Sequence, residues 1–201
     1  DLLRATVGFR LTNVFDDADE LAIDLGRMTL DVGSRRLVAR NEFRNSINAF
    51  TGVDLRWSSQ NQHAVRLFVV VPVRRLPNDS PSIANNAVQL DVENFDTWLV
   101  GLVDRSPLLF QLFHLELYAL GLWESDRRLL TPAIRMFRLS EIRSIDLQFE
   151  AAAQLGTSRP DGTSLESVTH LHRETTIHAA MGYRFGYAGT PRLSSMYYAA
   201  S

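Results

Sequence analysis

The fold is decided by two alternating stretches, Ile23-Asp24-Leu25-Gly26-Arg27-Met28-Thr29-Leu30-Asp31-Val32-Gly33 and Phe50-Thr51-Gly52-Val53-Asp54-Leu55-Arg56-Trp57. In both, apolar residues alternate with polar or charged ones, which is the period of a β-strand with two different faces. The connection between them, residues 34–45, is too long for a tight hairpin and is rich in arginine. Such a hairpin needs a different solvent on each face. The apolar face must meet either a protein core or lipid.

The same alternation recurs along the chain and predicts about ten strands. They lie at residues 3–12, 21–33, 50–57, 65–71, 96–103, 113–119, 133–139, 145–155, 177–185 and 192–200. In the second strand the apolar positions change parity between Leu25 and Met28. This change predicts a β-bulge near Gly26 and Arg27.

The lengths of the strands and connections favour a membrane barrel. Strands of about 9–11 residues match the length that a tilted strand needs to cross a bilayer. The predicted connections alternate between short and long, as in outer-membrane barrels. We expect the face of Ile145, Leu147, Phe149 and Ala151 to contact lipid. The predicted fold class is therefore all-β, an antiparallel up-and-down transmembrane β-barrel, with a soluble sandwich or solenoid as the alternative.

Composition excludes several other classes. No apolar run reaches the roughly 18 residues of a membrane helix, and the absence of cysteine excludes disulfides and thiolate metal sites. A net charge of -2 gives no support for nucleic-acid binding. All 21 lysine-plus-arginine positions are arginine. GC-rich coding would explain this, and so would a use of the planar guanidinium to grip carboxylates.

Several motifs follow one another along nearly the whole chain. They are Leu25-Gly26-Arg27-x-x-Leu30-Asp31-x-Gly33-x-x-Arg36-Leu37-Val38, Asn41-x-x-Arg44-Asn45, Phe50-x-Gly52-Val53, Phe68 to Val73, Leu117-Tyr118-x-Leu120-Gly121-Leu122, Glu150-x-x-x-Gln154-x-Gly156, Gly182-Tyr183-Arg184-Phe185 and Pro191-Arg192-Leu193. In this order they resemble the alginate-export family of outer-membrane porins. The resemblance implies a monomeric barrel of about 18 strands in the bacterial outer membrane. Its electropositive lumen would pass an anionic polysaccharide such as alginate.

With only about ten strands, residues 1–201 would be a single partial barrel domain, truncated at both ends. The chain starts without methionine or a signal segment and stops within a predicted strand, so we expect a piece of a longer protein. Its sheet should curl but leave unpaired edges near Arg4 and Tyr197.

A pore for a polyuronate needs fixed positive charge where water is confined. The predicted polar strand faces supply Arg4, Arg10, Arg27, Arg56 and Arg66. The long connection supplies Arg36 and Arg44, which could fold inward as a constriction. The acids expected to pair with some arginines and moderate the field are Asp31, Asp54, Glu116 and Glu150. The alternative is that these charges form structural ladders between strands.

Other conspicuous residues give weaker predictions. Candidates for aromatic girdles at the membrane interfaces, or for ordinary strand packing, are Trp57, Trp98, Tyr183 and Tyr197. His170 and His172 share one face of an extended segment, but no third ligand is evident nearby, so we expect no metal and no cofactor. His114 and Glu116 suggest acid–base chemistry. However, no activated serine or second carboxylate stands at a convincing spacing, so we expect no enzyme.

The sequence therefore predicts a pore with an anionic polysaccharide or small anion as its solute and outer-membrane lipid as its surroundings. Periplasmic export machinery is a candidate partner, and no nucleic acid is expected. The rival hypotheses are a general small-anion porin and a soluble β-sandwich carbohydrate-binding module.

Overall fold

The computed structural model describes residues 4–40, 47–138, 145–159, 170–186 and 192–201. These residues form one antiparallel 11-stranded sheet in which strands follow one another in chain order. The strands are β1 (Ala5–Thr12), β2 (Glu20–Met28), β3 (Phe50–Ser58), β4 (Ala64–Arg74), β5 (Val92–Glu93), β6 (Trp98–Arg105), β7 (His114–Trp123), β8 (Arg127–Arg138), β9 (Ile145–Ser158), β10 (His170–Arg184) and β11 (Arg192–Ala200). In the described part of the chain, only the short β5 leaves this order, since it pairs with β4 alone. The predicted up-and-down antiparallel fold is confirmed.

The sheet has two open edges. Among the described residues β1 pairs only with β2, and β11 pairs only with β10. Arg4 directly precedes β1, and Tyr197 lies in β11. The prediction of unpaired edges at these two places is therefore confirmed.

The long connections, residues 29–49 and 75–97, leave the sheet at the same end, which we call the long-loop end; the opposite end is the turn end. The second of them contains one short helix, α1 (Ser80–Ala84). No helix in the described ranges is long and apolar enough to cross a membrane. A tight turn also lies at the long-loop end, where the backbone nitrogen of Glu124 donates to the carbonyl of Arg127 at 2.7 Å. The predicted strict alternation of short and long connections is wrong at this turn.

The predicted bulge at Gly26 and Arg27 is also wrong. β2 keeps an unbroken register with β1 and β3, and Gly26 pairs with Gly52. Gly26 has a φ of +124°, and a Cβ atom there would collide with a backbone carbonyl of β1, so glycine allows the strands to approach closely. The apolar pattern changes parity for another reason: Met28 faces inward and packs with Leu30 in a core on the concave side.

The outward face of the sheet is apolar and carries no second protein layer among the described residues. Ile145, Leu147 and Phe149 are 48%, 37% and 42% exposed. Alternate residues from Ile145 to Leu155 span about 33 Å along β9. At the usual strand tilt of about 40°, this is about 25 Å along the barrel axis, the height of the apolar band of outer-membrane barrels. The face therefore suits contact with lipid.

Aromatic residues mark both ends of this band. Trp98 and Trp123 are paired in register at the long-loop end, on the outward face. Trp57 and Tyr183 occupy outward positions near the turn end of β3 and β10. Tyr197 pairs with Ala179 at the level of the middle of β9, so it belongs to ordinary strand packing. Three of the four predicted girdle residues thus lie at the ends of the apolar band, where aromatic girdles occur in outer-membrane barrels.

Asp19 organises the turn between β1 and β2. Its carboxylate accepts hydrogen bonds from the backbone nitrogens of Val14 and Phe15, at 2.6 and 2.9 Å, and from the indole nitrogen of Trp57, at 2.8 Å. Asp19 is only 1% exposed. The indole hydrogen bond is the largest effect on its pKa, and with the backbone N–H groups it outweighs burial and holds the pKa of Asp19 below its ordinary value.

Candidate functional site

Residues 29–40, here called the inward segment, fold back from the end of β2 across the inner face of the sheet. Leu30, Val32 and Val38 are buried. They belong to one core with the inner-face residues Phe68, Val70, Leu99, Tyr118 and Leu120. The backbone nitrogen of Val32 donates to the carbonyl of Val38 at 3.1 Å, which closes the segment into a compact loop. Arg44 lies in residues 41–46, outside the described residues.

Polar contacts attach the inward segment to opposite parts of the curved sheet. Arg66 of β4 donates from Nη1 to the carbonyl of Asp31 at 3.0 Å. Ser34 donates from its backbone nitrogen and its hydroxyl to the two carboxylate oxygens of Glu150 in β9, each at 2.8 Å. The segment therefore bridges the concave space between β4 and β9.

A row of ion pairs crosses the inner face from β1 to β4. The carboxylate of Asp24 forms an ion pair with Arg10, at 3.1 Å, on one side and with Arg56 on the other. The carboxylate of Asp54 forms an ion pair with Arg56 at 3.3 Å. Arg66 also binds this carboxylate, through two guanidinium nitrogens at 2.7 and 3.0 Å. Because these residues alternate in charge along neighbouring strands, each guanidinium is shared or held in a fixed position.

A second row continues from β6 to β9. The carboxylate of Glu116 forms ion pairs with Arg105, at 3.0 Å, and with Arg135, at 3.4 Å. The guanidinium of Arg135 also lies 3.7 Å from the carboxylate of Glu150. The two rows place carboxylates and guanidiniums along most of the inner wall. This arrangement is the ladder that the sequence left open as an alternative.

A separate ion pair joins β9 to β11, the strand at the open edge of the sheet. Arg192 binds Asp146 through Nε and Nη2, both at 2.8 Å. The pair spans β10 at Gly182, where a Cβ atom would collide with both side chains. The glycine thus leaves room for an ion pair between strands that are not adjacent.

The two signs of charge differ in their exposure. The side chains of Asp24, Asp54 and Glu116 are 10%, 5% and 2% exposed. Those of their partners Arg10, Arg56 and Arg105 are 46%, 45% and 46% exposed. In these pairs the carboxylate lies at the bottom of the wall and the guanidinium at its surface, whereas Arg66 and Arg135 are 22% and 14% exposed. A solute on the concave side would therefore meet arginine first.

A cleft of about 490 Å³ opens between the inward segment and the inner face. Its charged lining consists of Arg10, Arg56, Arg66, Arg105, Glu20, Asp31 and Glu116. Four of these seven groups are cationic, and the acids lie mainly beneath or beside them. The cleft is thus a partly enclosed, water-accessible space with an arginine-rich surface.

One of the arginines predicted for the pore wall lies on the outward face. Arg27 occupies an outward position of β2, where Nη2 contacts Glu93 at 2.7 Å, and Thr51 donates to the same Glu93 oxygen at 3.1 Å. The prediction that Arg27 shares the face of Arg56 is therefore wrong. Arg4 is exposed just before β1, at the open edge.

Arg36, in contrast, lies on the concave side. Its Cζ atom is 5.2 Å from the ring centroid of Tyr198 in β11. Asp31, also in the inward segment, contacts Arg35 at 3.3 Å and Arg40 at 3.7 Å. Asp31 therefore moderates the charge of the segment itself, while Arg36 points its charge toward the far edge of the sheet.

The sequence prediction missed several wall residues. Arg105 lies two residues beyond the predicted strand 96–103, and Arg135 lies within the predicted strand 133–139. Strand parity is the signal that identifies them: Arg105 continues the inward positions of β6, and Arg135 pairs with Glu116. Arg192 and Asp146 are two strands apart, and alternation alone does not indicate such a pair.

His114 forms packing contacts on the inner face of the sheet. Its ring stacks on Phe137 with centroids 5.4 Å apart, and Nδ1 lies 3.3 Å from the carbonyl oxygen of Ser106. The described residues contain no group of three or more potential metal ligands. The side chains of His170 and His172 lie outside the part that the structure describes.

Comparison with known proteins gives one match. The family model described as alginate export matches residues 1–201. No curated protein and no solved structure matches the chain.

Proposed function

Because the chain belongs to the alginate export family, we propose that it forms part of the wall of a bacterial outer-membrane pore that passes an anionic polysaccharide such as alginate, or related anionic solutes. The family is a transport family, and membership supports a pore function over an enzyme. The arginine-rich inner face would be the surface that the solute contacts.

The observation that carries the proposal is the difference in exposure within the ion pairs of the inner face. Arg10 is nearly half exposed above a carboxylate, Asp24, that is almost fully buried. In confined water the nearest charges dominate the potential, because screening is reduced and the Coulomb energy falls with distance. A nominally balanced row of charges therefore presents a positive surface to an anion.

The same ion pairs favour the passage of an anionic polymer over its tight binding. Each of Arg10, Arg56 and Arg105 already shares its guanidinium with a carboxylate. An incoming carboxylate competes with that partner and gains less than it would from a free guanidinium. A polymer with one carboxylate on each sugar would move from one shared arginine to the next.

The inward segment supports a constriction. Its apolar residues anchor it on the wall, and its contacts with Arg66 and Glu150 hold it across the concave space. The apolar outward band of about 25 Å supports a position in the outer membrane. Lipid would cover this band.

The test is ion selectivity of the complete protein in planar bilayers. The triple variant R10Q/R56Q/R105Q removes the exposed guanidiniums and leaves their carboxylates. We expect the reversal potential in a salt gradient to change from anion-selective to cation-selective.

A matched control removes three arginines from outward positions, R27Q/R128Q/R173Q, with the same change in net charge. It should leave the reversal potential nearly unchanged. Retained heat-modifiable mobility on gels would show that both triple variants fold. Equal effects of the two triple variants, or no anion selectivity in the unmodified protein, would contradict the proposal. Passage of chloride with exclusion of oligouronates would indicate a small-anion porin instead.

A further inference from the structure

Arg36 differs from the other arginines of the concave side. Arg10, Arg56, Arg66 and Arg105 each contact a carboxylate. Arg36 is exposed, and within the described ranges no carboxylate lies in ion-pair contact with it. In the inward segment, Arg35 and Arg40 form ion pairs with Asp31. The charge of Arg36 is therefore the least compensated of the three arginines.

The ring of Tyr198 fixes the position of this charge. The Arg36 Cζ atom lies 5.2 Å from the Tyr198 ring centroid, and Tyr198 is 54% exposed on the concave side of β11. A guanidinium stacked on an aromatic face keeps its N–H groups available in its own plane. Arg36 can therefore bind a carboxylate through two nitrogens without losing the stacking contact.

A second observation at the same place is an unpaired buried imidazole. His178 pairs in register with Tyr198 on one side and Glu150 on the other. It is 5% exposed, and neither ring nitrogen has a hydrogen-bond partner among the described residues. Buried polar groups are nearly always paired, so an unpaired imidazole marks a position that a ligand or a water completes. A neutral imidazole offers one donor and one acceptor, which suits a hydroxyl group.

We propose that Arg36, Tyr198 and His178 form a binding site for one uronate ring of the transported solute, an inference that rests on the proposed function. The guanidinium holds the carboxylate, the tyrosine ring positions the guanidinium, and the imidazole binds a ring hydroxyl. The site lies beside Ser34, which attaches the inward segment to Glu150. A sugar bound there would occupy the narrow part of the pore.

The test measures binding of D-glucuronate to the detergent-solubilised complete protein by saturation-transfer NMR. The R36Q variant should weaken binding about tenfold, the effect of removing one charge-assisted bidentate contact. R35Q is the matched control, since it removes an equal charge from the neighbouring residue, whose guanidinium contacts Asp31. It should change the dissociation constant by less than about twofold.

Further variants separate the three roles. Y198F keeps the aromatic face and should bind glucuronate nearly as well as the unmodified protein, whereas Y198A should bind several-fold more weakly. H178F should weaken the binding of glucuronate but not that of acetate, which has a carboxylate and no hydroxyl. Heat-modifiable mobility of each variant verifies folding.

Two results would overturn the site: equal effects of R36Q and R35Q, or glucuronate binding no tighter than acetate binding. Reversal potentials of the same samples distinguish this failure from failure of the pore function. Anion-selective conductance without a specific effect of R36Q removes the site and leaves the pore. Loss of glucuronate binding in R36Q, in a protein without anion selectivity, supports the site and contradicts the proposed transport.

Discussion

Ser34 donates two hydrogen bonds of 2.8 Å to the carboxylate of Glu150, although 116 positions of sequence separate the two residues. Glu150 is 5% exposed and also lies 3.7 Å from Arg135. Hydrogen bonds to an ionised acceptor in a poorly hydrated place are stronger than neutral ones. This contact therefore attaches the inward segment to the far wall of the sheet and sets the width of the space between them.

Removing the acceptor should detach the tip of the inward segment. Hydrogen bonds to a charged group contribute about 1.5–3 kcal/mol each, so E150A should raise the population of the detached segment by tenfold or more. We expect faster hydrogen exchange in residues 29–40 and a larger single-channel conductance. S34A, which removes only the hydroxyl contact, should have a smaller effect in the same direction.

Gln148 supplies the control for this experiment. It occupies the next inward position of β9, and no hydrogen bond of its side chain appears in the described part of the chain. Q148A should leave hydrogen exchange in the segment unchanged. An E150A variant with the exchange rates of Q148A would show that the apolar core alone holds the segment.

Leu30 tests that apolar core. Its side chain is fully buried among the residues of the inward segment and the inner face. L30A should lower the free energy of unfolding by about 2–5 kcal/mol, the usual loss for a buried leucine. L25A, at an outward position of the same hairpin, should lower it clearly less, because lipid fills the space that the side chain leaves. Urea unfolding in lipid vesicles compares the two variants, and equal losses would place Leu30 outside a protein core.

The single antiparallel sheet was predictable because each strand has one apolar and one polar face. In β9, Ile145 and Asp146 lie on opposite faces, as their alternation indicates. The inward segment was harder to predict. Leu30 and Val32 continue an alternating pattern, but alternation does not distinguish an apolar face against lipid from one against another part of the chain. The change of parity at Met28 was a real signal with a different cause.

The charged lining of the inner face was partly predictable for a related reason. Arg10, Arg56 and Arg66 alternate with apolar residues, so their face follows from parity. Arg27 is an exception. It follows Gly26, and a bulge at that position would turn the Arg27 side chain inward, whereas the regular strand turns it outward. The ion-pair partners of each arginine depend on the register between neighbouring strands, which the sequence alone leaves open. Arg56 reaches Asp24 because Asp24 lies opposite Asp54, two residues before Arg56 in β3.

Asp19 should make stability depend on acid pH. Its pKa is lowered in the folded protein, chiefly by the hydrogen bond from the Trp57 indole. A lowered folded pKa stabilises the protein above the ordinary pKa of an aspartate, about 3.9. This stabilisation is lost as the pH falls from about 4 through the folded pKa.

Urea midpoints at pH 7 and pH 3 measure this effect. The difference between the two midpoints should shrink in D19N, because an amide cannot titrate. D17N serves as the control, since Asp17 is exposed in the same turn. It should keep the full difference. The same pH dependence in D19N and the unmodified protein would assign the acid sensitivity to other carboxylates.

Neighbouring residues of β9 give the sharpest test of which face meets lipid. Phe149 is 42% exposed on the outward face near the middle of the apolar band, and Gln148 faces inward beside it. F149R would place a guanidinium near the bilayer midplane, which lowers stability by about 2–4 kcal/mol in outer-membrane barrels. Q148R adds the same charge to the concave side, the proposed lumen, and should change stability much less while raising anion selectivity. Folding titrations in lipid vesicles compare the two variants. If Q148R destabilises the protein more than F149R, then the charged face is not the wet one, and the assignment of the two faces must be reversed.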